Sequence, residues 1–403
     1  MNVFIKKLYH KPQIVVYGIM ALILISGLIY SFYLGDQLRY SDEHEYLNIA
    51  KNLLSIGKYS LDGVKPTAYR APGLPFLIYF GLFLGTNIEI IRFFNFMALA
   101  GSCLFLYLIS KRLNYPIAGG IGALLVIFYP VLFYTAGTLF PQTIGSFLLL
   151  ASLFFWFNFK EQNISHSSII AGLLFGLLVL TIPAFLMYWI VMAIMPLFLS
   201  LKYKWKRMLL FTLSSLMVVG LWTARNYIVF NSFIPVSTNS GINLLLGNSK
   251  NTKANSGVNV DISEYKPLNR NINEVELDKY YRSMAFKWIF THKLEAAKLY
   301  FKKVANYFNY KNNLATRKEA SSFKNIVMLL TYGTLLTLFI VRIALFKIYN
   351  FEKIEYYIIG FYFLSAFFSA LFFTRIRFRL PFDVLLILIN SIFIIKILTL
   401  HKI

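Results

Sequence analysis

Ten mostly apolar stretches recur along the chain, separated by polar or charged segments. Most of them approach the roughly 20 residues that an α-helix needs to cross the hydrocarbon core of a bilayer. This alternation predicts an all-α polytopic membrane protein with about ten transmembrane helices. The predicted spans are 13–34, 90–109, 116–136, 142–159, 167–181, 184–200, 208–229, 323–346, 354–374 and 380–400. The boundary between 167–181 and 184–200 is predicted from Pro183 alone, which breaks a helix.

A further apolar stretch, 72–84, is about half as long as a span and contains Pro72, Gly73 and Pro75. If it does not cross, most Lys and Arg of the short loops share one side, which the positive-inside rule assigns to the cytoplasm. If it crossed, that distribution would invert. We therefore predict that 72–84 lies at, or dips into, the outer surface, and that both termini are cytoplasmic. The loop cations on the predicted cytoplasmic side are Lys111, Arg112, Lys160, Lys202, Lys204, Lys206, Arg207, Lys347, Lys353 and Lys402.

This topology divides the chain into three parts. Residues 1–229 form an N-terminal transmembrane module, which includes an outer loop at 35–89 with juxtamembrane helices. Residues 230–322 form an extracytoplasmic loop that starts polar and rich in turns. From 274 to about 309 this loop is predicted to be one amphipathic helix, whose Lys and aromatic residues suit an anionic membrane surface. Residues 323–403 supply the C-terminal transmembrane helices.

Charge singles out one short segment of the first outer loop. The chain has 40 Lys and Arg against 17 Asp and Glu, a formal net charge of +23. Acidic residues are therefore scarce, yet Asp42, Glu43 and Glu45 fall within four positions. Ser41 is predicted to cap a helix that ends at Gly57, with the acids in its first turn, where the helix dipole favours them.

Two interpretations of these acids remain open from helix chemistry alone. In the first, they only stabilise the start of the helix. In the second, one carboxylate points into a cavity and acts as a base or metal ligand. Asp42 and Glu43 are neighbours on a helix, so they point roughly 100° apart and are not expected to share one role.

Ligands for a metal ion are sparse in the sequence. The five His residues form no pair with metal-ligand spacing, so a zinc site built from His alone is not predicted. Asp42 and His44 are the candidates if a divalent cation binds. The single cysteine, Cys103, excludes a disulfide within one chain.

Several arginines fall on the predicted outer side, against the usual bias of positive charge. Arginine binds phosphate through a planar fork of donors, so these residues are candidate phosphate ligands. The alternative is contact with lipid head groups. Asp383 follows Arg379 by four residues and could neutralise it. The candidates are Arg70, Arg225, Arg375, Arg377 and Arg379.

Four passages, taken together and in order, resemble the GT-C superfamily of membrane glycosyltransferases. Within it, the similarity is to the bacterial branch related to protein O-mannosyltransferases and the aminoarabinose transferase of lipid A. The passages follow one another in the family's order along nearly the whole chain. They are Ser41-Asp42-Glu43-His44-Glu45-Tyr46-Leu47-Asn48-Ile49-Ala50 with Leu53, Leu54 and Gly57, Tyr69-Arg70-Ala71-Pro72-Gly73-Leu74-Pro75, Trp222-Thr223-Ala224-Arg225-Asn226-Tyr227 with 234–248, and Arg375-Ile376-Arg377-Phe378-Arg379-Leu380-Pro381.

The resemblance implies a GT-C fold in the inner (plasma) membrane and a sugar donor linked to polyprenyl phosphate. It implies hexosyl or pentosyl transfer to a glycan, lipid or protein hydroxyl on the extracytoplasmic face. The family's catalytic base falls on Asp42, with Glu43 as the alternative, and its lipid-phosphate ligand falls on Arg70. Membrane lipids are expected partners and nucleic acid is not.

The chain departs from the family pattern at two places. Gln142 stands where an acidic residue often opens the fourth span, so a second carboxylate and a tightly held metal are not implied. Ile182 precedes Pro183 where the family often has arginine, which removes one cation.

Two other functions remain open, a lipid-linked sugar flippase and an O-antigen polymerase or ligase. A flippase needs polar groups lining a path through the bilayer. The charged residues cluster on one face instead, which favours an enzyme. A polymerase or ligase would not need the Asp42 helix followed by the proline-rich stretch.

Overall fold

The computed structural model describes residues 11–158, 163–268, 272–311 and 321–400, and the predicted cytoplasmic cations Lys160 and Lys402 lie outside these ranges. Within them the chain is helical and contains no strand. Short 3-10 helices lie at Pro183–Tyr188 and Ser263–Tyr265, and a π-helical turn at Leu329–Gly333. The α-helices are α1 (Pro12–Leu34), α2 (Ser41–Ile56), α3 (Gly73–Phe83), α4 (Ile88–Arg112), α5 (Pro116–Phe128), α6 (Pro130–Ala136), α7 (Gln142–Trp156), α8 (Ile164–Thr181), α9 (Trp189–Phe198), α10 (Lys204–Phe230), α11 (Ser240–Gly247), α12 (Glu274–Thr291), α13 (Lys293–Tyr307), α14 (Ser322–Met328), α15 (Thr334–Ala344), α16 (Lys353–Leu371) and α17 (Ile376–Leu400).

Every predicted span lies on one or more of these helices. Seven helical stretches of the described chain are long and apolar enough to cross a membrane, and α5 with α6 makes an eighth if that bent pair is one span. The pair bends by 70° at the break before Pro130, a residue that cannot continue the hydrogen-bond ladder. The apolar α7 and the Pro183–Phe198 stretch are shorter. The structure confirms an all-α, multi-pass membrane architecture.

The predicted break at Pro183 is confirmed. Helix α8 ends at Thr181, and Ile182 has extended backbone angles (φ −134°, ψ 97°). The residue before a proline is driven out of the helical region by the proline ring. A 3-10 turn then starts at Pro183 and leads into α9.

The 72–84 stretch forms α3, a helix of 11 residues. It rises about 16 Å, too little to cross the roughly 30 Å hydrocarbon core. Helix α3 packs against α2, α4 and α8. At its first residue, a Cβ added to Gly73 would lie 2.4 Å from Thr181 Oγ1 and 2.8 Å from Thr181 Cα. Only glycine allows this close approach to the end of α8.

Helix α17 is the centre of the bundle. Of its apolar window 72% is buried, against 33% for α1 and α10, and it contacts α4, α5, α7, α15 and α16. Residues Val384 to Leu388 are completely buried. A helix that is apolar on all sides is expected at such a central position.

Several helix ends gather at one end of the bundle, which we call the loop end. Arg92, near the start of α4, donates to the carbonyl oxygens of Gly35 and Gln37 after α1 (2.6 and 2.8 Å). Near the end of α10, Arg225 donates to the carbonyl oxygen of Thr67 at 2.9 Å. The ends of α1 and α10 and the start of α4 therefore share this end with the first loop.

The 230–322 segment differs from its prediction in one respect. The single helix expected at 274–309 is two helices, α12 and α13, which meet at His292 (φ −118°, ψ 49°). On α12, Asp278, Ala285 and Trp288 are buried against the protein. Contact of this segment with a membrane surface stays a prediction.

We expect Gly73→Ala to lower stability by about 1–3 kcal/mol, because the added methyl group overlaps the backbone of Thr181. Gly220→Ala is the matched control, since no described atom from elsewhere in the chain lies within 4 Å of its added Cβ. The control should be neutral or gain up to about 1 kcal/mol of helix propensity. Thermal unfolding midpoints in lipid nanodiscs compare the two. Equal midpoints would contradict the packing described here.

Candidate active site

Three of the predicted site residues meet at the loop end. Asp42 lies in the first turn of α2, and its Oδ1 accepts a hydrogen bond from Arg70 Nη2 at 2.7 Å. Its Oδ2 forms an ion pair with Arg377 Nη2 at 2.8 Å. Arg70 also donates from Nε to Glu45 Oε2 at 2.5 Å. Arg70 from the first loop and Arg377 from the first turn of α17 thus hold one carboxylate.

The electrostatics of this cluster favour the charged forms. Burial would raise the pKa of Asp42, but the positive charges of Arg377 and Arg70 outweigh it and hold that pKa below its usual value. Burial would lower the pKa of Arg70, but Tyr46 and the carboxylates of Asp42 and Glu45 raise it further above its ordinary value. Asp42 is therefore a carboxylate at neutral pH.

Aromatic rings fix the two guanidinium groups. Arg70 lies over the rings of Tyr46 and Tyr69, each 5.3 Å from the ring centroid. Arg377 lies over Phe140 at 4.8 Å. Such stacking orients a guanidinium while leaving its N–H edge for an anion. The Nε of Arg377 is buried and makes no hydrogen bond within the described chain, so a donor stands ready beside Asp42.

Glu43 has a different role from Asp42. It is only 1% exposed, and its two oxygens accept three backbone N–H bonds. The donors are Arg39 (2.8 Å), Tyr40 (3.0 Å) and Leu139 (2.8 Å). This corrects the alternative in which Glu43 is the base, because its oxygens hold the start of α2 in place. The helix is also capped at Tyr40, one residue earlier than the predicted cap, Ser41.

Arg379 is placed inside the fold, which corrects its assignment to phosphate binding. The side chain is completely buried and pairs with Asp383 at 3.1 Å, the i,i+4 pair that the sequence predicts. It also donates to the carbonyl oxygens of Tyr307 (2.7 Å) and Asn309 (2.9 Å). Its guanidinium lies 3.4 Å from the centroid of the Tyr332 ring. The Arg379 guanidinium therefore has its partners within the protein.

Arg225 is likewise engaged by the protein, and its part in phosphate binding stays a prediction. It donates to the Thr67 carbonyl oxygen at 2.9 Å and to Asn226 Oδ1 at 3.0 Å, and its guanidinium stacks on Trp222 at 4.8 Å. It anchors the loop that carries Arg70. Arg375 is half-buried in the turn before α17, and its part in phosphate binding stays a prediction.

The residues proposed for a divalent cation do not fit that role in this arrangement. Both oxygens of Asp42 face arginines, and His44 is exposed. In the part of the chain that the structure describes, no group of three or more His, Cys, Asp or Glu side chains is placed to hold a metal. We therefore derive no step through a metal ion.

Sequence reasoning missed one member of the cluster, Glu45. It lies three residues after Asp42 and so on the same side of α2. That spacing alone could have indicated that Glu45 lies beside Asp42. It could not identify Arg70 as the partner of Glu45, because the fold of the loop brings the two together.

Comparison with known proteins shows the fold. No protein-family model and no curated protein sequence matches the chain. The archaeal oligosaccharyltransferase AglB from Archaeoglobus fulgidus, in complex with an inhibitory peptide and a dolichol-phosphate, is 14% identical with a TM-score of 0.52. The match covers 95% of this chain and 51% of that chain, so the chain spans about half the length of AglB. The apo form gives 13% identity, the same coverage and a TM-score of 0.53.

ArnT from Cupriavidus metallidurans bound to undecaprenyl phosphate is 12% identical, with a TM-score of 0.44. That match covers 93% of this chain and 78% of ArnT. The likeness to AglB is one of fold, and on it the chain has the GT-C membrane fold.

We expect Arg379→Leu to lower stability by about 3–5 kcal/mol, because it leaves Asp383 buried without its ion pair. Arg377→Leu is the matched comparison. Its side chain is 22% exposed and Asp42 keeps Arg70, so the loss should be smaller. Adding Asp383→Asn to Arg379→Leu should recover part of the loss. Thermal unfolding in nanodiscs measures all three, and a stable Arg379→Leu protein would contradict the structural role.

Proposed function

We propose that this chain is a glycosyltransferase that moves a sugar from a polyprenyl-phosphate-linked donor to a hydroxyl acceptor. One observation carries the proposal: Asp42 lies between the guanidinium groups of Arg70 and Arg377 at the loop end of the bundle. This arrangement offers an anion site and a carboxylate side by side. The GT-C fold supports it, since the AglB structure of that fold contains a dolichol-phosphate.

The two arginines suit a phosphate at a membrane surface. Each guanidinium stays charged at every relevant pH and presents several N–H donors in one plane. In the free protein these donors hold Asp42 and Glu45. A bound donor phosphate competes for these donors. The two arginines then stabilise the negative charge that grows on the leaving phosphate in the transition state. Arg375, two residues before Arg377, is the further candidate for this contact.

Asp42 is the proposed general base. A carboxylate beside two arginines has a low pKa and accepts a proton poorly. When the phosphate takes part of the positive charge, the pKa of Asp42 rises towards a more effective value. The acceptor hydroxyl then gives its proton to Asp42, and its oxygen attacks the anomeric carbon. The bond from that carbon to the phosphate oxygen breaks, and polyprenyl phosphate leaves.

The distribution of charge supports an assignment of the site to one side of the membrane. Lys111 and Arg112 end α4, and Lys204 and Lys206 lie in the first turn of α10, so all four are at the end of the bundle opposite to the loop end. The positive-inside rule assigns that opposite end to the cytoplasm. We accordingly propose that the protein lies in the plasma membrane and that its site faces outward.

We expect Asp42→Asn to lower transfer by about 10²–10⁴-fold without unfolding the protein, because it removes the proton acceptor. The assay mixes the protein in lipid with a panel of radiolabelled polyprenyl-phosphate sugars and membrane extract as acceptor. Asp36→Asn is the matched control, an exposed acid in the same loop. Full transfer by Asp42→Asn would disprove the base assignment. Movement of the donor across the bilayer with no transfer by wild type would disprove the enzyme.

The pH profile of Arg377→Ala provides a second test. Arg377 holds the pKa of Asp42 down, so its removal raises that pKa and leaves less carboxylate at acidic pH. The acid limb of kcat/KM, which reports groups of the free enzyme, should therefore move to higher pH. Arg377→Lys keeps the charge and should keep the limb close to its wild-type position. An unmoved limb in Arg377→Ala would show that the titrating base is not Asp42.

A further inference from the structure

The two arginines that hold Asp42 each follow a segment that is bound by one end of the same pair of helices. That pair is α12 and α13, and neither supplies a residue to the Asp42 cluster. The start of α12 binds the loop before Arg70. The last turn and a half of α13 binds the turn before Arg377. The contacts at each end involve one charged side chain.

Glu274, the first residue of α12, binds the loop of Arg70. Its Oε2 accepts from Thr67 Oγ1 at 2.6 Å, and its Oε1 accepts from the Ala68 backbone N–H at 2.9 Å and from Thr238 Oγ1. The Thr238 backbone N–H in turn donates to the Ala68 carbonyl oxygen at 3.0 Å. Thr67 and Ala68 lie three and two residues before Arg70. The Glu274 carboxylate therefore fixes the backbone that presents this arginine.

Lys303, on α13, binds the turn of Arg377. Its Nζ donates to the carbonyl oxygens of Phe372 (2.7 Å) and Gly247 (2.9 Å) and to Asn248 Oδ1 (3.2 Å), and the residue is 0% exposed. These acceptors can use all three N–H groups of the ammonium. Phe372 opens the turn between α16 and α17. A Cβ on Gly247 would lie 2.0 Å from the Phe372 carbonyl oxygen, so the end of α11 is in direct contact with this turn.

A neighbouring amide repeats the contact of Lys303. Asn306, three residues later on α13, donates from Nδ2 to Thr374 Oγ1 at 2.9 Å. Thr374 lies three residues before Arg377. The end of α13 therefore binds both ends of the turn that leads to this arginine.

A lysine at this place carries a cost in stability. Moving an ammonium group out of water is unfavourable, and the three hydrogen bonds of Lys303 offset only part of that cost. The ammonium instead fixes the direction of three acceptors around it. A group that specifies geometry at a cost in stability is expected where position matters for function.

We propose that α12 and α13 form a clamp in which Glu274 and Lys303 are positioning residues for Arg70 and Arg377. Glu274 sets the position of Arg70, and Lys303 sets the position of Arg377. Together they determine how the two guanidinium groups meet Asp42 and the donor phosphate. The effect of the clamp on transfer rests on the proposed function. The clamp itself is an arrangement of segments, which a distance measurement can test without any activity.

Double-mutant cycles on kcat/KM test the assignment of each residue to its arginine. We expect Glu274→Ala and Lys303→Met each to lower transfer roughly 10- to 100-fold, the scale of a small misplacement of catalytic groups. Glu274→Ala should add little to Arg70→Ala but keep its full effect with Arg377→Ala. Lys303→Met should show the reverse pattern. General loosening of the fold would give the same factor in both backgrounds, which would overturn the inference.

The chain offers matched controls on the same two helices. Glu295→Ala removes an exposed acid from the first turn of α13, and Lys302→Met removes the exposed neighbour of Lys303. Both should keep wild-type transfer. Lys303→Gln, which retains two N–H donors, should lie between Lys303→Met and wild type. If Lys302→Met lowers transfer as much as Lys303→Met, the buried contacts are not the cause.

A distance measurement tests the clamp without any enzyme assay. With buried Cys103 replaced by alanine, spin labels go on Val64→Cys in the first loop and Leu371→Cys at the end of α16, both exposed. We expect a narrow distance distribution in the parent and in both controls, and a broad one in Glu274→Ala and Lys303→Met. Narrow distributions in both clamp variants would overturn the inference. An inactive parent with the expected broadening would disprove only the proposed function.

Discussion

The partial burial of Asp42 is the constraint on which the loop end depends. A carboxylate that loses part of its water must receive positive charge in return. Here that charge comes from Arg70 in the first loop and from Arg377 in the first turn of α17. The loop before Arg70 and the turn before α17 have no regular hydrogen-bond ladder, so each needs further contacts. Much of the polar chemistry at this end serves that purpose.

The arginines of the loop end fall into two groups by what their donors meet. Arg225 and Arg379 donate mainly to backbone carbonyl oxygens or to a buried partner, and they hold segments together. Arg92 does the same for the link between α1 and α2. Arg70 and Arg377 instead pair with the partly exposed Asp42 and stack on rings. This second group is the one that the proposed function assigns to the donor phosphate.

The sequence predicted the fold better than it predicted the site. Apolar length and proline position were enough for the spans and for the break at Pro183, since both depend on local properties. Asp42 and Arg70 were identified through resemblance, and the structure brings them together. The sequence could not show that Glu43 and Arg379 lie outside the site. Each has a side chain suited to the predicted role, as a base or as a phosphate ligand. Only the tertiary contacts of Glu43 with Leu139 and of Arg379 with Tyr307 reveal their burial.

The resting arrangement of the cluster favours an order of events under the proposed function. Asp42 is weakly basic while both arginines pair with it, since their charges lower its pKa. A donor phosphate is the anion that can share those charges, so the base becomes more effective once the donor binds. An acceptor that arrived first would meet a weaker base. Glu274 anchors the loop before Arg70 and Lys303 anchors the turn before Arg377, so the segments that lead to the two arginines are held separately.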